Sequence, residues 1–227
     1  MMPLVWILMI GLLITGFAVQ ARLRSKFKEY SQYPSPGGLS GAEVAAKMLL
    51  DNGIHDVKIT SVEGSLTDHY NPVDKTVNLS PEVYGGRSIM AATIAAHECG
   101  HAVQHANAYS WLTMRSTLVP VVSFSSRWVQ WILLIGIFTI NIFPQLLLAG
   151  IVLFGLITLF SFVTLPVEFD ASRRALAWIS GSHFMMDEDY ARAKDGLWWA
   201  AMTYVVAALA SLATLVYYIM IFMGRRR

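Results

Sequence analysis

Residues 145–174 read QLLLAGIVLFGLITLFSFVTLPVEFDASRR. No charged side chain occurs between positions 145 and 166, and then Glu168, Asp170, Arg173 and Arg174 arrive within seven residues. A helix crosses a hydrocarbon core of about 30 Å with roughly 20 apolar residues, so this run is long enough to span one. The sudden return of charge marks where such a helix leaves the bilayer and polar chemistry resumes.

Three further stretches have the same character: residues 3–19, 117–143 and 198–223. The second is the loosest. It contains Arg127, and Pro120 with Ser123, Ser125 and Ser126 disfavours a start that faces lipid. It reads either as a short span entered near Trp128 or as a long helix with an amphipathic beginning. The first stretch has no basic residue ahead of it, while Arg22, Arg24, Lys26 and Lys28 follow it. A signal peptide has the opposite order, so residues 1–21 read as a retained anchor. The chain then divides into the anchor (1–21), a polar α+β block (22–116), a transmembrane hairpin (117–166), a second polar block (167–197) and a last span with a basic tail (198–227).

Composition agrees with four spans. Of 227 residues, 55% are apolar and 14% charged, against about 45–50% and 25% in soluble domains. That excludes a disordered chain and argues against a fully soluble globule. The net charge of +2 is too small to draw a polyanion, so no nucleic-acid partner is expected, and the bilayer itself is the first partner implied. Cys99 is the single cysteine and cannot form an internal disulfide. The two polar blocks flank a hairpin and so share one compartment. Residues 22–116 and 166–197 hold 13 of the 17 Lys and Arg residues, which places both in the cytoplasm. Arg225, Arg226 and Arg227 pull the other way. The larger count, with Arg192 and Lys194 ahead of the last span, decides for a multi-pass protein of a bacterial cell membrane whose site faces the cytoplasm.

In the first polar block, residues 41–52 have helical spacing behind a Ser40-to-Glu43 capping box, and Asn52-Gly53 ends the helix. Residues 57–60 and 76–79 alternate as short strands, with the turn-rich DHYNP of Asp68 to Pro72 between them. Residues 88–105 form a long helix rich in Ala and Ile.

On that helix stands His97-Glu98-Cys99-Gly100-His101, an H-E-x-x-H motif. Residues four apart share a helix face, about 6 Å apart along the axis. Two imidazoles placed so can converge on one Zn²⁺. Glu98 projects beside the ion rather than into its ligand sphere, where it can take a proton from an activated water. Chance also produces this pentapeptide. Its helical setting and the small residues Ala95, Ala96, Cys99, Gly100 and Ala102 around it favour the chemical reading.

Catalytic zinc takes three protein ligands and keeps one position open. His105 continues the spacing, but a straight helix carries it about 12 Å from His97. The chain also lacks the glycine turn and later histidine that would bring a third imidazole round. His105 therefore reads as a helix-face residue. The other candidate is Glu168. Acids at a helix start are ordinary where they meet the dipole, yet a carboxylate from a second helix is also how two-His-one-Glu sites are completed. Asp170 either orients a ligand histidine or pairs with Arg173 or Arg174.

Across nearly its whole length the sequence resembles the YugP-type family of membrane zinc metallopeptidases, and more distantly HtpX-type and CAAX-prenyl-type membrane proteases. The resemblance is carried by the anchor, Gly38-Leu39-Ser40-Gly41, Leu66 to Pro72, Val77-Asn78-Leu79-Ser80, Ala96 to Gln104, the hairpin, and Pro166 to Ser172. It implies a membrane-integrated, mainly α-helical fold with four transmembrane helices and a small α+β gluzincin-like domain. It implies one Zn²⁺ per chain held by His97, His101 and Glu168, and polypeptide substrates. HtpX-type proteins commonly have Asp where this chain has Ser172, which leaves that Asp's role without a counterpart here.

His69 is the candidate oxyanion stabiliser, since related sites use a His or Tyr there. A turn with satisfied polar groups is an equal reading. The strand at 76–79 is expected to offer its edge to an extended peptide. His55 and His183 read as surface residues, and the tryptophans at 111, 128, 131, 198 and 199 as interfacial belts. Two rival classes remain. A pseudoprotease that binds membrane partners would not need the base Glu98. A metal-responsive transporter would put ionisable groups inside its spans, where only Arg127 stands.

Overall fold

The computed structural model describes residues 2–224. In chain order the elements are α1 (Met2–Tyr30), a 3₁₀ turn (Pro36–Gly38), α2 (Gly41–Asp51), β1 (Lys58–Ser61), β2 (His69–Asn71), β3 (Thr76–Leu79), α3 (Pro81–Tyr84), α4 (Ile89–Ala106), α5 (Ser110–Phe138), α6 (Pro144–Gly181) and α7 (Asp187–Gly224). The protein is mainly helical, with one small sheet. Among the described residues four helices are long and apolar enough to cross a membrane: Val5–Tyr30, Ser110–Phe138, Pro144–Gly181 and Asp187–Gly224. The ambiguous second stretch is one unbroken helix, α5, with Pro120 inside it. Arg225, Arg226 and Arg227, which enter the charge count, lie outside the described residues.

The chain forms two compact units. The first comprises residues 1–18, 113–165 and 203–227. Its buried cluster joins Val129 and Leu133 of α5 to Leu147 and Ile151 of α6. Gly136 makes that contact possible, because a Cβ there would stand 2.7 Å from the Leu147 Cα. A hydroxyl contact between Thr158 and Ser211, 2.8 Å, joins α6 to α7.

The second unit comprises residues 19–112 and 166–202 and contains every candidate site residue. Its centre is α4, which is buried almost throughout. Ala92, Ala95, Ala96 and Cys99 pack with Val44 and Met48 of α2, Val77 and Leu79 of β3, and Ala175 and Ile179 of α6. The small side chains along α4 let these elements close around it. Ser88 caps α4, accepting from the Ala91 N–H at 3.2 Å. The capping box read at α2 is present, with the Ser40 N–H donating to Glu43 at 2.7 Å.

The sheet corrects two expectations. The segment from Asp68 to Pro72 holds a strand, β2, and is not only a turn. The sheet order is β1-β3-β2, with β1 parallel and β2 antiparallel to β3. Residues 76–79 are therefore the central strand. Their backbone groups pair on both sides, so β3 has no edge to offer a peptide; the outer strands do. Asp68 ties the sheet's end together, accepting from the Ser80 N–H at 2.7 Å. Asn71 builds the β2–β3 turn by accepting from the Val73 N–H at 2.9 Å.

Candidate metal centre

His97 and His101 stand one turn apart on α4, with ring centroids 4.9 Å apart. Glu168 comes from α6. Its Oε2 lies 3.4 Å from His97 Nε2 and 3.7 Å from His101 Nε2. One ligand atom from each of the three residues lies within 4.8 Å of the others. Two ligands at 2.0–2.1 Å from a tetrahedral Zn²⁺ stand about 3.3 Å apart. The donor set therefore has the spacing and chemistry of a two-His-one-Glu site.

The approach of α6 depends on Gly100, between Glu98 and His101. A Cβ there would collide with the Ala171 backbone carbonyl. Glycine in a helix interior lowers helical propensity, and here it lets the backbone of α6 lie against α4.

The imidazoles are oriented from behind. Gln104 donates its amide N–H groups to the Val167 carbonyl at 2.8 Å and to the Asp170 carboxylate at 2.9 Å. Both partners are acceptors only, so the amide oxygen must face His101, where Oε1 lies 3.0 Å from Nδ1. His101 therefore donates from Nδ1, which leaves Nε2 as the ring atom that faces Glu168. Holding the second nitrogen this way is how ligand histidines are fixed. Ser172 Oγ lies 3.2 Å from His97 Nδ1 and serves the other ring. Asp170 does both things the sequence left open. It accepts from Arg174 Nε at 2.6 Å, also pairs with Arg173, and holds Gln104, which holds His101.

Glu98 is buried, 7% exposed. Burial is the main cause that pushes its carboxyl up to about 7; the nearby charges of Glu168 and Asp68 add to this, and His97 opposes it. A carboxyl poised there can accept and release a proton near neutrality. Cys99 faces the core, and burial pushes its thiol up, which makes it inert packing.

His105 is not brought to the cluster. Its Nδ1 meets the Tyr70 hydroxyl of β2 at 2.7 Å. His69 is exposed on β2, and its Nδ1 lies 2.7 Å from the Thr67 carbonyl. His55 and His183 are exposed, as read. Gln104 supports His101, a role the motif alone does not announce. The signal was its place three residues after His101, on the same helix face.

The sequence model of the family described as "Putative neutral zinc metallopeptidase" matches residues 5–223. The chain is 41% identical over 219 residues to the Bacillus subtilis (strain 168) protein called "Putative membrane protease YugP", covering 96% of each. No solved structure matches the chain.

Proposed function

The chain belongs to the family of putative neutral zinc metallopeptidases, and from that premise we propose that it is a zinc-dependent endopeptidase of the cell membrane, with its site on the cytoplasmic side. The observation that carries the reading is the convergence of His97, His101 and Glu168 within 4.8 Å beside a buried Glu98. Those three residues would hold the ion, with His101 Nε2 and His97 Nε2 as nitrogen donors and a Glu168 oxygen as the third. Zinc, when bound, supplies a Lewis acid that makes water nucleophilic at neutral pH.

The chain's own residues do the rest. Glu98 takes the proton from the attacking water on its carboxylate and returns it to the amine as the peptide bond breaks. Gln104 and Ser172 keep the two rings aimed while charge builds beside them. An extended peptide lies along the outer edge of β2, where the backbone is not paired to a strand. His69 is assigned the oxyanion contact, its ring held by the Thr67 carbonyl 2.7 Å from Nδ1. Substrates are membrane-proximal or misfolded polypeptides, since Glu168 follows the uncharged run of α6 by only a few residues.

The test compares the wild type with Glu98→Gln for zinc content and for peptide cleavage. Retained zinc with cleavage lost is expected. Equal cleavage by the two proteins ends this mechanism. Zinc held with no cleavage by the wild type on any substrate would favour the pseudoprotease reading.

A further inference from the structure

A cavity of about 610 Å³ lies between the latter part of α6 and the first part of α7, within the unit that holds the metal centre. Its apolar wall includes Phe169, Leu176, Leu197 and Trp198. Phe169 is 39% and Trp198 55% exposed, so the wall is uncovered apolar surface. Its volume falls within the roughly 300–1,000 Å³ of sites that enclose a sizeable ligand, which leaves room for more than one side chain. The acid at its margin is already engaged: Asp195 accepts from the Tyr30 hydroxyl at 2.7 Å. Arg173 is likewise held by Asp170. Lys194 also stands at the margin, exposed; the rest of the wall offers mostly apolar contact.

This cavity is joined to the metal centre. Ser172 lines it and also contacts His97, and Phe169 is the residue after Glu168. An occupant that touches Ser172 is therefore one side chain away from His97. We propose that the cavity receives an apolar stretch of the polypeptide beside the bond to be cut, so that cleavage is directed to the flanks of apolar segments. This rests on the peptidase reading and adds its substrate class. A free lipid chain would fill the same wall, but continuity through Ser172 favours an occupant that also reaches the ion.

The test uses the full chain carrying Glu98→Gln, in nanodiscs and in detergent, with two fluorescent peptides. One has a run of Leu and Phe; the other has Ser and Gln in their place. Ala177 and Ala191 line the cavity at exposed helix positions, so Ala177→Trp and Ala191→Trp fill it without touching the ligands. The apolar peptide is expected to bind about tenfold tighter than the polar one. Each Trp variant is expected to remove that advantage and leave the polar peptide and the zinc content unchanged. With Glu98 intact, the same variants raise KM for the apolar peptide and leave kcat alone. Equal binding of both peptides, or binding indifferent to both Trp variants, overturns the proposal. So does a Trp effect that appears only in nanodiscs, which would assign the cavity to lipid. Cleavage without apolar preference sinks the cavity and spares the peptidase. The binding pattern without any cleavage does the reverse.

Discussion

Replacing Gly100 by alanine sets two effects against each other. Alanine in place of glycine inside a helix favours the helix by about 1 kcal/mol. The new Cβ, however, would stand 3.0 Å from the Ala171 carbonyl carbon and 3.2 Å from its Cα. Ordinary carbon contacts lie at about 3.5–4.0 Å, so α6 must retreat from α4 by about 0.5–1 Å. Overpacking of this kind costs about 1–3 kcal/mol. Metal ligands tolerate only about 0.2 Å, and the helix displaced, α6, is the one that carries Glu168. The expected outcome is a protein that unfolds within a few degrees of the wild type in chelator but holds zinc at least about tenfold more weakly, as when a ligand loses its support. Zinc counted after equilibration against graded chelator, with thermal unfolding in its absence, measures both. Wild-type zinc affinity in Gly100→Ala would show that the close approach does not set the ligand distance.

Glu168→Ala is expected to purify with far less than one zinc per chain after mild chelation; full occupancy would remove it from the ligand set. Gln104→Leu removes the amide that links His101 to Asp170 and α6, and zinc affinity should fall about 10- to 100-fold, read by the same chelator titration. His69→Ala should lower kcat by about 10²-fold with zinc content unchanged if the oxyanion contact is real; a loss below about threefold discards that role. Met48→Ala empties a site that is 1% exposed, and denaturant unfolding should register about 2–5 kcal/mol.

The helix bearing His97 and His101 is legible in the sequence because its ligands, its cap and its small packing residues are all local. Glu168 is legible for a different reason: an acid where a long uncharged run stops stands out against its surroundings. The strand β2 is hidden, because His69-Tyr70-Asn71 sits among turn formers and becomes a strand only through pairing with β3. Since β3 then has neighbours on both sides, its apparent edge vanishes. The support of His101 is hidden too. Gln104 meets Asp170 across 66 positions of chain, and nothing in local spacing marks that pair. Ser172 becomes interpretable only once His97 is seen beside it.

The bond between Tyr70 and His105 has a mechanical consequence. A strand of three residues cannot keep its place by ladder pairing alone. Tyr70 splints it to the final turn of α4, while its own backbone amide favours the charged form of Glu98. Any chain laid along that strand thus inherits its alignment from the same rod that carries both imidazoles, and a slip of one residue would have to drag the helix with it.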